Sequence, residues 1–139
     1  MIIDDRSDVK TQRVIIADSS QRLLEGIRGL LETVFGSVVM VADAESLMDA
    51  AEMIGADLVV VDISLGDNTW AEAVKTIKSR FPDIKVLVTS IHDEQAALQQ
   101  ALSAGADGFV LKRLAANDLI PAVEAILAGG TFASNPQKS

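Results

Sequence analysis

Four apolar runs in this sequence stop on side chains that can do chemistry. Val-Ile-Ile-Ala at 14–17 ends in Asp18, Leu-Val-Val-Val at 58–61 in Asp62, Ile-Lys-Val-Leu-Val at 84–88 in Thr89-Ser90, and Phe-Val-Leu at 109–111 in Lys112. Two carboxylates brought close together repel unless something positive lies between them, and a hard divalent cation with oxygen ligands does this most simply. Magnesium is the expected ion. A lysine and a hydroxyl on the other flank offer a cation and a hydrogen-bond donor to an anion. Asp18, Asp62, Ser90 and Lys112 together therefore read as a site for a metal and a phosphoryl group.

These four residues meet only if their strands run parallel, with the carboxyl ends together. Leu58 to Val61 has no polar face and three β-branched residues, the pattern of a strand covered on both sides in a parallel sheet. Helical patterns fill the intervals. After Asp18, Ser19 and Ser20 suit an N-cap, and Leu23, Leu24, Ile27, Leu30, Leu31, Val34 and Phe35 form a stripe that stops at Gly36. A strand at 38–42 ends in Asp43, read as a surface turn residue, and a short helix at 45–54 closes at Gly55. Thr69-Trp70-Ala71-Glu72 reads as a capping box, with Pro82 stopping its helix. Asp93 opens a helix with Ala97, Leu98, Ala101 and Leu102 inward, and a last helix from about 117 to 128 carries Pro121 in its opening turns.

Strand and helix alternate five times, which predicts an α/β fold: a doubly wound, flavodoxin-like parallel sheet of five strands in the order 2-1-3-4-5, with helices on both faces. That order places strand two away from the crevice, and Asp43 with it. Residues 1–12 read as a flexible N-terminal arm, 13–130 as the domain, and 131–139 as a linker stub or disordered end.

Composition narrows the function classes. Twelve basic against twenty acidic residues, a net charge of −8, repel nucleic acid backbones and anionic lipid. The chain has no cysteine, and no apolar run suits a signal peptide or a membrane span, so a cytoplasmic location is expected. The turn Ala17-Asp18-Ser19-Ser20 has no glycine to cradle a nucleotide, and there is no Gly-x-Ser-x-Gly elbow. The single histidine, His92, reads as a loop or helix-entry residue and not as a catalytic base.

Across roughly 13–131 the chain resembles the receiver domains of two-component response regulators, in particular those of NarL/FixJ (LuxR-type) transcription factors. Val-Ile-Ile-Ala-Asp-Ser-Ser, Asp-Leu-Val-Val-Val-Asp-Ile, the segment 85–94 and Ala-Gly-Ala-Asp-Gly-Phe-Val-Leu-Lys at 104–112 carry the resemblance. It implies that Asp62 is the phosphoacceptor. Asp18, Asp62 and the Ser64 backbone carbonyl are implied as magnesium ligands, with Ser19 as an optional further one. Ser90 is implied as the switch hydroxyl and Lys112 as the partner of Asp62 or its phosphate. Phe109 is implied as an aromatic that moves with the switch, or else it is a core residue of its short strand. The chain departs from the family pattern in Ser19, where a second acid is usual, in Trp70, where the loop after Asp62 normally has a glycine, and in Arg113 after Lys112.

The leading expectation is a switch, not an enzyme, phosphorylated on Asp62 by a sensor histidine kinase. It would form a homodimer, contact DNA only through a C-terminal domain outside this chain, and have no membrane contact. A degenerate receiver acting as a phosphorylation-independent interaction module is the second reading, motivated by Ser19 and Trp70. A small-molecule or phosphotransfer enzyme on the same scaffold is the third.

Overall fold

The structure, a computed structural model, describes residues 12–20, 24–66, 69–92 and 95–135. Five strands form where the apolar runs predict them, four of them buried and the edge strand β2 only partly: β1 Arg13–Ala17, β2 Ser37–Val41, β3 Leu58–Asp62, β4 Lys85–Ser90 and β5 Gly108–Leu111. All pair in parallel. A sixth, β6 at Phe132–Ala133, extends the sheet to the order β2-β1-β3-β4-β5-β6. The expectation of a stub from 131 onward thus fails for 131–135. Two residues are too few to show a period, and this strand exists because β5 offers it an edge, with Phe132 N–H donating to Asp107 O and Ser134 N–H to Phe109 O.

The helices are α1 Leu24–Glu32, α2 Ala44–Ile54, α3 Trp70–Arg80, α4 Gln95–Ala104 and α5 Ala115–Leu127, the last preceded by a 3₁₀ turn at Lys112–Leu114. Side chains alternate across the pleat and so build two separate cores. Val14, Ile16, Leu58, Val60, Leu87 and Val110 pack toward α1 and α5, against Ile27, Leu31, Leu119, Val123 and Ile126. Ile15, Val59, Val61, Val86, Val88 and Phe109 pack toward α2, α3 and α4. The α5 layer lies close on the sheet: a Cβ on Gly108 would collide with Ile126 Cδ1 and come within 3.0 Å of Leu87 Cδ1.

Several local expectations are corrected. Thr69 does not cap α3: its backbone is helical, and its hydroxyl donates to Leu65 O at 2.9 Å. Gly66, at φ +65°, folds the loop back so tightly that a Cβ there would collide with Thr69 Oγ1. Trp70, which follows Thr69, is buried in the α2–α3–α4 core. Leu102, expected inward, is half-exposed on α4. Because α5 starts at Ala115, Pro121 lies beyond its first turn, but Pro121 and the Asn117 carbonyl it leaves unbonded belong to exposed residues that water can reach. Asp43 is the exposed N-cap of α2, accepting the Ser46 N–H at 2.7 Å, and this bond holds its carboxyl below the ordinary value. The N-terminal arm up to 11, the cap of α1, Asp67-Asn68 and the Asp93 helix start fall outside the described residues.

Candidate functional site

Asp18 follows Ile16 by two residues, Asp62 follows Val60, Thr89 follows Leu87 and Lys112 follows Val110, so all four continue the α1/α5 face of the sheet at its carboxyl end. There the apolar supply stops, and polar side chains meet in a buried cluster. Lys112 Nζ lies 2.7 Å from Asp18 Oδ2 and 3.0 Å from Asp62 Oδ1, with side-chain exposures of 1%, 2% and 4%. One ammonium thus faces two carboxylates. Burial at this level costs several kcal/mol per ion unless every lone pair is met. The loops meet them: Asp18 Oδ1 accepts the Ser20 N–H at 2.8 Å and the Ser64 hydroxyl at 3.1 Å, and Asp62 Oδ2 accepts the Ser64 N–H at 2.9 Å.

The hydroxyl beside Asp62 is not that of Ser90. Asp62 is level with Thr89 in the β3–β4 ladder, and Thr89 Oγ1 donates to Asp62 Oδ1 at 2.7 Å. Ser90, one residue on, points to the opposite face. Its hydroxyl donates to His92 O at 2.7 Å and accepts the His92 N–H at 2.8 Å, closing the turn after β4. In this structure Ser90, expected as the switch hydroxyl, does not reach Asp62; the hydroxyl that does is that of Thr89, which sequence reasoning did not single out. Its signal was parity, which becomes usable only once the register is known. Phe109, level with Val88, lies in the core facing α2–α4 and does not reach the cluster. The His92 side chain is exposed at the rim.

The oxygen donors suit a hard divalent cation: two carboxylates and the Ser64 carbonyl, linked through Ser64 to both acids. Among the described residues no third acid, histidine or cysteine joins them. Ser19 takes that corner instead, its hydroxyl donating to Ser64 O at 2.5 Å. A cavity of about 140 Å³, lined by Ser20, Asp62, Ile63, Ser64, Ile91, His92 and Lys112, opens onto the pair that could receive a small anion.

The profile of the response regulator receiver domain matches residues 14–124 of this chain. The chain belongs to the response regulator receiver domains. Within that family its relatives are LuxR-type transcriptional regulators. It is 34% identical over 122 residues to the transcriptional regulatory protein DegU of Brevibacillus brevis, covering 86% of this chain and 52% of that protein. It is 28% identical over 120 residues to the transcriptional regulatory protein LnrK of Bacillus subtilis, covering 85% and 54%. The receiver thus spans about half the length of these relatives. Among solved structures, it superposes on a LuxR-family two-component response regulator from Aurantimonas with a TM-score of 0.81, 31% identity and 91% coverage of both chains. It also superposes on the isolated receiver of RcsB from Salmonella enterica, solved with the phosphomimetic BeF3-, with a TM-score of 0.77 and 27% identity over 90% of this chain and 94% of that one. The flavodoxin-like parallel fold and the receiver assignment both stand, with one strand more than the sequence predicts. Among the described residues no helix is long and apolar enough to cross a membrane.

Proposed function

We propose that this receiver is a cytoplasmic switch that takes a phosphoryl group on Asp62 from a sensor histidine kinase and passes the change to a transcription-factor output. The observation that carries this reading is the position of Asp62 in the cluster, with an ammonium at 3.0 Å and a hydroxyl donor at 2.7 Å on one oxygen, beside an open cavity. An Asp62 carboxylate oxygen attacks phosphorus, the phosphorus–nitrogen bond to the donor imidazole breaks with its electron pair staying on nitrogen, and an acyl phosphate forms. Lys112 and Thr89 neutralise the charge that collects on the phosphoryl oxygens. Asp18, Asp62 and the Ser64 carbonyl would hold magnesium, with the Ser19 hydroxyl beside them. When bound, the ion would supply positive charge to the transferring oxygens. The domain acts on no substrate other than its own phosphoryl group, and homodimers are the expected assembly. One structural relative, RcsB, is known as a complex with DNA, and contact with DNA here would fall to a part beyond this chain.

Intact mass after incubation with acetyl phosphate and magnesium tests the reading. The expected result is a gain of one phosphoryl group, lost in Asp62→Ala; an unchanged mass, or a gain that survives the substitution, overturns it. The second reading, an interaction module that is never phosphorylated, is favoured by Ser19, which brings no charge to the metal corner and hydrogen-bonds the Ser64 carbonyl. Its test is magnesium affinity. Ser19→Asp is expected to tighten magnesium by roughly tenfold, because a third anionic ligand is added to two. Equal affinities by calorimetry would show that Ser19 is not at the metal corner.

A further inference from the structure

The turn that carries Lys112 is closed by one hydroxyl from beyond the last helix. Ser134 Oγ accepts the N–H of Leu111, the residue before the turn, at 3.1 Å. It donates to Asp118 Oδ2, in the first turn of α5 just after it, at 2.7 Å. In a longer β5–β6 ladder a backbone carbonyl would take the Leu111 N–H; here a side chain ends the ladder one rung past Phe109↔Ala133. Asp118 and Ser134 are both buried, and burying a carboxylate is unfavourable unless it is hydrogen-bonded. The carboxylate also sets the direction of the chain. An acceptor facing Ser134 commits the hydroxyl proton to Asp118, so a lone pair is left for Leu111.

From this geometry we infer that Asp118 and Ser134 are positioning residues for Lys112. They fix both ends of the Lys112–Leu114 turn and thereby hold the ammonium between Asp18 and Asp62. The segment after α5 is then coupled to the acidic cluster through three residues. The kinetic part of this inference rests on Asp62 being the phosphoacceptor; the spectroscopic part does not.

The test uses the full 139-residue chain, labelled with nitrogen-15, as wild type, Ser134→Ala and Ser134→Thr. The Lys112 side-chain ammonium signal and the Leu111 amide are recorded first, then the rate of phosphorylation by acetyl phosphate with magnesium. In Ser134→Ala the Leu111 amide shifts, the Lys112 ammonium signal moves or broadens, and the rate falls roughly threefold to tenfold, the scale of one hydrogen bond. Ser134→Thr restores all three. A Lys112 signal and rate unchanged in Ser134→Ala, or no restoration by threonine, overturns the inference. Should the alanine variant fail to fold, Ser134→Cys, which keeps the volume and weakens the bond, is read in the same way. If the wild type gains no phosphoryl group, the proposed function fails while the ammonium signal still decides this one.

Discussion

Replacing Lys112 by methionine is expected to destabilise the domain by about 3–5 kcal/mol, because it leaves two buried carboxylates without their shared cation. The Asp18 and Asp62 side chains are 2% and 4% exposed, and methionine fills much of the lysine volume, so the loss is electrostatic and not a cavity effect. Thermal unfolding should fall by roughly 10–20 °C. Asp62→Asn touches the same triad and is expected to behave differently. The amide carbonyl still accepts from Thr89 and Lys112, the surplus charge is gone and Lys112 keeps Asp18 at 2.7 Å, while the amide nitrogen in place of Oδ2 costs the Ser64 N–H its acceptor. Its stability should stay within about 1 kcal/mol of wild type, since removal of the surplus buried charge offsets the one lost hydrogen bond. Equal melting temperatures for the two variants would show that the cluster is solvated and contributes little.

The second large effect separates adjacent residues. Thr89→Ala is expected to slow phosphorylation by roughly tenfold to a hundredfold, whereas Ser90→Ala changes it by no more than about twofold. A donor aimed at the oxygens that gain charge in the transition state contributes on this scale when removed. Thr89 Oγ1 lies 2.7 Å from Asp62 Oδ1, while both hydrogen-bonding functions of Ser90 are taken by the His92 backbone. Rates are read by mass with acetyl phosphate, and melting curves check that both variants are folded. Losses in the reverse order would restore Ser90 as the switch hydroxyl and mean that β4 rotates on phosphorylation.

Much of the architecture was legible in the chain itself. Unbroken apolar runs announce strands with no wet face, and their alternation with helical stripes allows essentially only right-handed crossovers and a parallel sheet. A carboxylate or lysine directly after such a run marks the strand's carboxyl end, which is why Asp18, Asp62 and Lys112 could be named without coordinates. Their ion pairs at 2.7 and 3.0 Å follow from strand order.

Other features belong to the tertiary structure alone. Thr89 and Ser90 are equally placed in the sequence, and only the pairing of Asp62 with Thr89 decides which faces the site, because a one-residue slip sends every side chain to the other face. Thr69 has the composition of a cap, but the backbone at Gly66 gives its hydroxyl a carbonyl at Leu65 instead. Strand β6 has no period of its own, and neighbouring β5, with Asp118 beneath Ser134, makes it a strand. Local pattern determined which residues end strands in this protein, whereas register and long-range hydrogen bonds decided which of their side chains meet, since a strand's pleat defines two faces but not the level at which its neighbour lies.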